Sequence, residues 1–195
     1  MYNCIYGAHC TQAVCDKSCP TLAQTTYLLE RNNISMSNEV FRRGYESINK
    51  NLDQLARAEG KIVAVGKDNT VLGANILTYC GICQKWKGSR LHCTVYNLQY
   101  AQYIEAIKKS WSAASESEQL EYMKIWSASA ELLIISNLDY VNFKDFESQT
   151  LLTLLQSRTA EGLTTIIVVP NRDNLIGSGL FFNRLDELIK GARIK

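Results

Sequence analysis

The sequence predicts an α/β fold: a parallel sheet with flanking helices, preceded by a small metal-binding N-terminal module. Three observations carry this. From Lys61 onward, short apolar runs alternate with helical stripes of about 12–16 residues, the pattern of strands joined by crossover helices. The runs KIVAVG (61–66), LLII (132–135) and TTIIVV (164–169) are apolar throughout, as strands buried on both faces should be. Four of the seven cysteines crowd into the first 19 residues.

The 195 residues suffice for one ordinary domain and a small appendage, and 46% hydrophobic residues suit a globular core. A net charge of +2 is too mild to argue for nucleic acid by itself. No run of about 18 apolar residues occurs, so no membrane span is expected. The start, MYNCIYGAHC, has neither a basic nor an apolar leader region, so no signal peptide is expected. An odd cysteine total without such a leader fits a reducing, cytoplasmic compartment.

Three domains follow. Residues 1–20 form a knuckle, C-x5-C-x4-C-x3-C, with Cys4, Cys10, Cys15 and Cys19. So short a stretch cannot bury enough surface to order itself. Four thiolates around zinc would supply the missing free energy; an iron–sulfur cluster is the second choice for the same ligands. His9 is then a bystander. Residues 21–58 form a helical connector: a stripe over 21–31, then a longer one from Ser37 to Ala58, ended by Gly60.

Residues 59–195 form the α/β domain. Strand 61–66 leads through a loop at 67–70 into a helix over 71–86. A strand over 92–97 and a helix over 98–111 follow. A helix over 118–126 precedes the strand at 131–135. Asp145 caps a helix reaching Ala160, and a strand covers 163–169. A last helical piece spans about 179–190. Ligands of such sheets bind beyond the C-terminal strand ends, here Gly66–Thr70, Ser136–Asp139 and Pro170–Asn171.

This order of parts resembles the phage-encoded relatives of DnaC/DnaI-type helicase loaders, which are AAA+ (P-loop NTPase-like) ATPases. KIVAVGKDNTVLGANIL lies where that family has a strand, G-x4-G-K-[ST] and a helix. AELLIISNLDY lies where it reads A-x-L-L-I-I-D-D-L, TTIIVVPN matches its sensor strand ending in Asn171, and FFNRLDEL resembles its arginine segment. The resemblance implies a nucleotide site at Gly66, Lys67, Thr70 and Asn171, and a trans-acting Arg184. Its catalytic positions are altered. With the pattern laid on Gly66, the second glycine is Val71, the lysine Leu72 and the hydroxyl residue Gly73. Leu72 offers phosphate no charge, and Asp68 repels it. Ser136 and Asn137 replace the carboxylates that hold magnesium and polarise water. Asp139 comes two residues late and, after Leu138, is expected to point away.

ATP is therefore not expected as a cofactor, and no catalytic residue is assigned. The resemblance implies a non-catalytic helicase-loader-like protein of DNA replication in a bacterial host cell. It would be an adaptor or an inactive subunit, binding a replicative helicase or an active AAA+ loader subunit in a homo- or hetero-oligomer. Two alternatives stay open: an active, atypical ATPase loader, and an inhibitor of a host AAA+ or replication factor. Single-stranded DNA is a further candidate partner, through Lys85-Trp86-Lys87-Gly88-Ser89-Arg90, although this reads more simply as a helix C-terminus. Cys80, Cys83 and Cys93 read as small buried hydrophobes, and Trp111 and Trp126 as partial core.

Overall fold

In the computed structural model, residues 27–32, 34, 39, 43–44, 46–87, 94–112 and 117–170 are described. The cysteine knuckle (Cys4, Cys10, Cys15, Cys19), Asn171 and Arg184 lie outside them, as does the helix expected over 179–190.

After a helical segment at 27–31 come α1 (Ile48–Arg57), β1 (Ile62–Gly66), α2 (Thr70–Lys87), β2 (Val95–Gln99) and α3 (Tyr100–Ser110). Then follow α4 (Glu118–Ser129), β3 (Leu132–Ser136), a 3-10 turn (Leu138–Tyr140), α5 (Asp145–Ala160) and β4 (Thr164–Val169). The four strands form one parallel sheet in the order β1-β4-β3-β2.

Alternate strand residues face opposite layers, and both layers are apolar. Val63, Val65, Leu132, Ile134, Ile166 and Val168 pack under α1 and α2. Ala64, Leu98, Leu133, Ile135 and Ile167 pack under α3, α4 and α5. A strand covered on both faces gains from apolar side chains in both directions, which is why its sequence runs apolar without alternation.

Three expectations need correction. The second strand is Val95–Gln99, not 92–97, and its helix begins at Tyr100. Asp145 does not cap α5; it is the first helical residue, and the Lys144 N–H is satisfied by the Glu147 carboxylate at 3.0 Å. Trp111 is 64% exposed, its ring edge lying against Phe146. Trp126 is half-buried, as expected.

β1 hands the chain to α2 on one face of the sheet, whereas β3 hands it to α5 on the other. Where outgoing connections part to opposite faces, a crevice opens at the carboxyl edge of the sheet. The loops after β1 and β3 flank it.

Candidate functional site at the carboxyl edge of the sheet

Only Lys67, Asp68 and Asn69 separate β1 from α2. The Lys67 N–H donates to the Val169 carbonyl at 2.8 Å, so the backbone is still tied to β4 one residue beyond the strand. Asn69 then caps the helix. Its side-chain oxygen accepts from the Leu72 N–H at 2.9 Å, and its backbone carbonyl from the Gly73 N–H at 2.9 Å. A helix N-terminus binds phosphate through its unpaired N–H groups. Here the Leu72 amide is already taken by the preceding side chain, and the turn is too short to wrap a phosphate chain.

The sequence frame therefore shifts. Val71, Leu72 and Gly73 are all inside the first turn of α2 rather than in a phosphate loop. The hydroxyl that meets the β3 tip is Thr70. Its Oγ1 donates a long hydrogen bond, 3.5 Å, to Oδ1 of Asp139. The residue before Thr70, where a phosphate-binding lysine would stand, is Asn69.

Asp139 does not point away, which corrects the sequence expectation. Asn137 takes a left-handed conformation (φ 61°), and the chain turns through the 3-10 segment. Asparagine is one of the few side-chain-bearing residues that accepts this region. The Asn137 Nδ2 group donates to Gln99 Oε1 at 3.2 Å, bracing the loop against β2. Ser136 is fully buried on the α2 face, and its hydroxyl has no partner among the described residues. A neutral hydroxyl thus sits where the resemblance places a magnesium-binding carboxylate.

Lys67 is the cation closest in sequence to the crevice, but it does not serve it. Its stem lies on α2, where a Cβ on Gly73 would stand 2.5 Å from Lys67 Cγ; only glycine admits this approach. Burial, and then the charge of Lys50, hold its ammonium below the usual lysine range. Its other electrostatic neighbour is Cys80, on the α1 side of α2. The Cys80 thiol is itself pushed up to about 12 by burial, which suits its reading as a small hydrophobe.

The structure thus brings Thr70 to Asp139, leaves Gly66 as the last residue of β1, and lays the Lys67 stem on α2. Toward a magnesium–triphosphate, the contacts here offer one hydroxyl and one carboxylate, Thr70 and Asp139. The Leu72 amide is capped by Asn69, and two exposed carboxylates, Asp68 and Asp139, stand on the loops that flank the crevice. Asp139, hydrogen-bonded to Thr70, is a carboxylate that could join a metal ion there. The Asn69 cap was legible in principle, as an asparagine just before a helix. The Asp139 contact was not, because it depends on the Asn137 conformation.

No protein-family model matches this chain, and no curated protein sequence is similar to it. Solved structures are. AMPPCP-bound DnaA from Aquifex aeolicus matches 82% of this chain over 47% of its own, with 15% identity and TM-score 0.52. A DNA replication initiation factor matches 82% over 46%, with 14% identity and TM-score 0.53. The replication initiator DnaA bound to AMPPCP and single-stranded DNA matches 87% over 50%, with 17% identity and TM-score 0.52. The chain spans about half the length of these proteins. At such identities the likeness is one of fold: a parallel four-stranded sheet between helices, similar to the AAA+ domain of DnaA.

Proposed function

We propose that this chain is a DNA-replication protein of AAA+ fold that does not hydrolyse ATP. It acts as an adaptor or inactive subunit, docking on a replicative helicase or on an active AAA+ loader subunit. The observation that carries this reading is the Asn69 cap. The amide that would hold phosphate is bonded to a side chain, after a turn of three residues. The absence of carboxylates at Ser136 and Asn137 supports it. Replication enters through the fold likeness to DnaA, and the helicase-loader role through the sequence resemblance.

The same reading gives Cys4, Cys10, Cys15 and Cys19 a zinc ion, as a docking knob of residues 1–20. It gives Arg184 a role in completing a neighbouring subunit's site, and leaves Asn171 without a γ-phosphate to sense. Elemental analysis of the purified chain is expected to find about one zinc per molecule. Iron in its place would mean a cluster.

One observation favours an alternative. The Thr70–Asp139 pair is a hydroxyl and a carboxylate that one magnesium could share, as an atypical ATPase would need. Calorimetric titration with magnesium–ATP and a phosphate-release assay separate the readings. The adaptor gives no turnover. Turnover abolished by Asp139→Ala would establish the alternative. Co-purification from native cells tests the partner: a helicase or an intact loader is expected. Recovery of a host factor without either would make the chain an inhibitor.

A further inference from the structure

At the opposite end of the sheet, where β2 begins, lies a cavity of about 230 Å³. Tyr27, Arg31, Thr94, Tyr96, Tyr122 and Trp126 line it. The guanidinium carbon of Arg31 stands 4.0 Å from the centre of the Trp126 ring. Its Nε donates to the Tyr122 hydroxyl at 2.6 Å. Tyr96 and Tyr122 meet edge to face at 6.0 Å, and Tyr122 and Trp126 lie tilted at 5.8 Å. One planar cation is therefore fixed against two rings, Tyr122 and Trp126. Among the described residues its two terminal nitrogens have no hydrogen-bond partner.

The wall carrying Arg31 is held rigidly. The next residue, Asn32, is buried against the edge strand, where its Oδ1 accepts from the Asn97 N–H at 2.8 Å and its Nδ2 faces the Val95 carbonyl at 3.4 Å. Its Nδ2 also donates to the Leu28 carbonyl at 2.8 Å. This amide stands in for a neighbouring strand, and it fixes the helical segment from which Tyr27 and Arg31 project. Tyr27 lies one helical turn before Arg31 and is 57% exposed, which leaves its ring at the mouth.

We propose that this cavity binds one unstacked base of a single-stranded nucleic acid. The base stacks on the Tyr27 and Arg31 planes, and its phosphate takes the terminal nitrogens of Arg31. The chemistry matches on three counts. Aromatic rings and guanidinium planes stack bases of any sequence. A guanidinium fork suits phosphate geometry. The volume falls below the roughly 300–1,000 Å³ typical of whole small-molecule sites, so it admits a base rather than a larger ligand. This inference is independent of whether the carboxyl edge of the sheet binds nucleotide.

Fluorescence anisotropy with a labelled oligodeoxythymidylate of about 20 nucleotides tests it, that length exceeding common single-strand site sizes. Wild-type protein is expected to bind at low salt. Tyr27→Ala, whose ring is mostly in solvent, should weaken binding about tenfold without loss of fold. Arg31→Met should weaken it at least as much, and Tyr140→Ala, 76% exposed at the other end of the sheet, should leave it unchanged. An abasic oligonucleotide of equal length should bind about tenfold more weakly than the thymidylate. The proposal fails if wild type does not bind, if Tyr27→Ala binds like wild type, or if the abasic strand binds equally well. It also fails if a peptide competes for the cavity and oligonucleotides do not.

Discussion

Arg158 and Lys67 are both cations drawn toward the interior, at opposite ends of the sheet, and they are treated in opposite ways. Arg158 is fully buried, and every nitrogen is used. Nε donates to Thr165 Oγ1 at 2.8 Å, Nη1 to the Ser127 and Ala128 carbonyls at 3.0 and 3.1 Å, and Nη2 to the Thr164 carbonyl at 2.6 Å. Two of those carbonyls belong to the last turn of α4, where a positive charge also meets the helix dipole. Lys67 is half-buried, and its ammonium makes no hydrogen bond or ion pair among the described residues. The buried cation is fully bonded within the scaffold, while the lysine beside the crevice is held by packing and has its charge disfavoured by burial.

The largest test of this contrast is Arg158→Met. It deletes four hydrogen bonds that tie α5 to α4 and to the start of β4. Loss of a fully bonded buried charge site is expected to cost about 3–5 kcal/mol. The midpoint of chemical denaturation reads this directly. Arg158→Lys should recover little, since one ammonium cannot span acceptors from α4 and both sides of β4. A shift under about 1 kcal/mol for Arg158→Met would remove the claim that the scaffold depends on it.

Glu147 gives the next largest effect. Its carboxylate is buried, pairs with Lys108 at 2.5 Å and accepts the Lys144 N–H at 3.0 Å. The hydrogen bond from Lys108 holds it below the usual carboxylate range, against the upward push of burial. A lowered carboxylate contributes stability that is full above the unfolded value and disappears as pH falls through the folded one. Denaturation midpoints of wild type should therefore drop on acidification below about pH 4.5. Glu147→Gln should flatten that limb and cost about 1–2 kcal/mol at neutral pH. An acid limb unchanged in the variant would show that other carboxylates set it.

Asn69→Ala follows, at about 1 kcal/mol for a lost N-cap. Its second readout is sharper. If the cap alone kept phosphate away, the variant would gain affinity for magnesium–ATP in calorimetry. No gain is expected, because the turn remains three residues long and no lysine precedes Thr70.

How much of this was legible follows from how each element is covered. β1, β3 and β4 announced themselves because both their faces are dry. β2 did not, because Asn97 points a polar side chain at α2, where Nδ2 donates to Asn75 Oδ1 at 2.9 Å, and Gln99 is spent on Asn137. VYNLQ therefore lacks an apolar run, and the expected strand slid about three residues toward His92. The residue identities at the altered positions, Val71, Leu72, Gly73, Ser136 and Asn137, were legible in the sequence. Their surroundings were not. The Thr70–Asp139 contact needs a left-handed Asn137, and the Arg158 node joins residues from three elements with no common pattern in sequence.

Lys67→Met is the smallest expected effect and the most direct on function. Because burial holds the Lys67 ammonium below the usual lysine range, its charge disfavours the folded state. The sign is that of a base with a lowered value: the penalty is present at neutral pH and fades as pH rises through the folded value toward the unfolded one. Replacing the ammonium with a thioether of similar length keeps the stem on Gly73 and removes the penalty. Stability at pH 7 should then stay level or rise by less than about 1 kcal/mol, since half the side chain is in contact with solvent. Partner binding should be unchanged. A lysine that held phosphate would behave otherwise: its loss would leave stability alone and abolish nucleotide binding. A variant that is no more stable and loses measurable ATP affinity would reverse the contrast between the two cations, and would return Lys67 to the crevice.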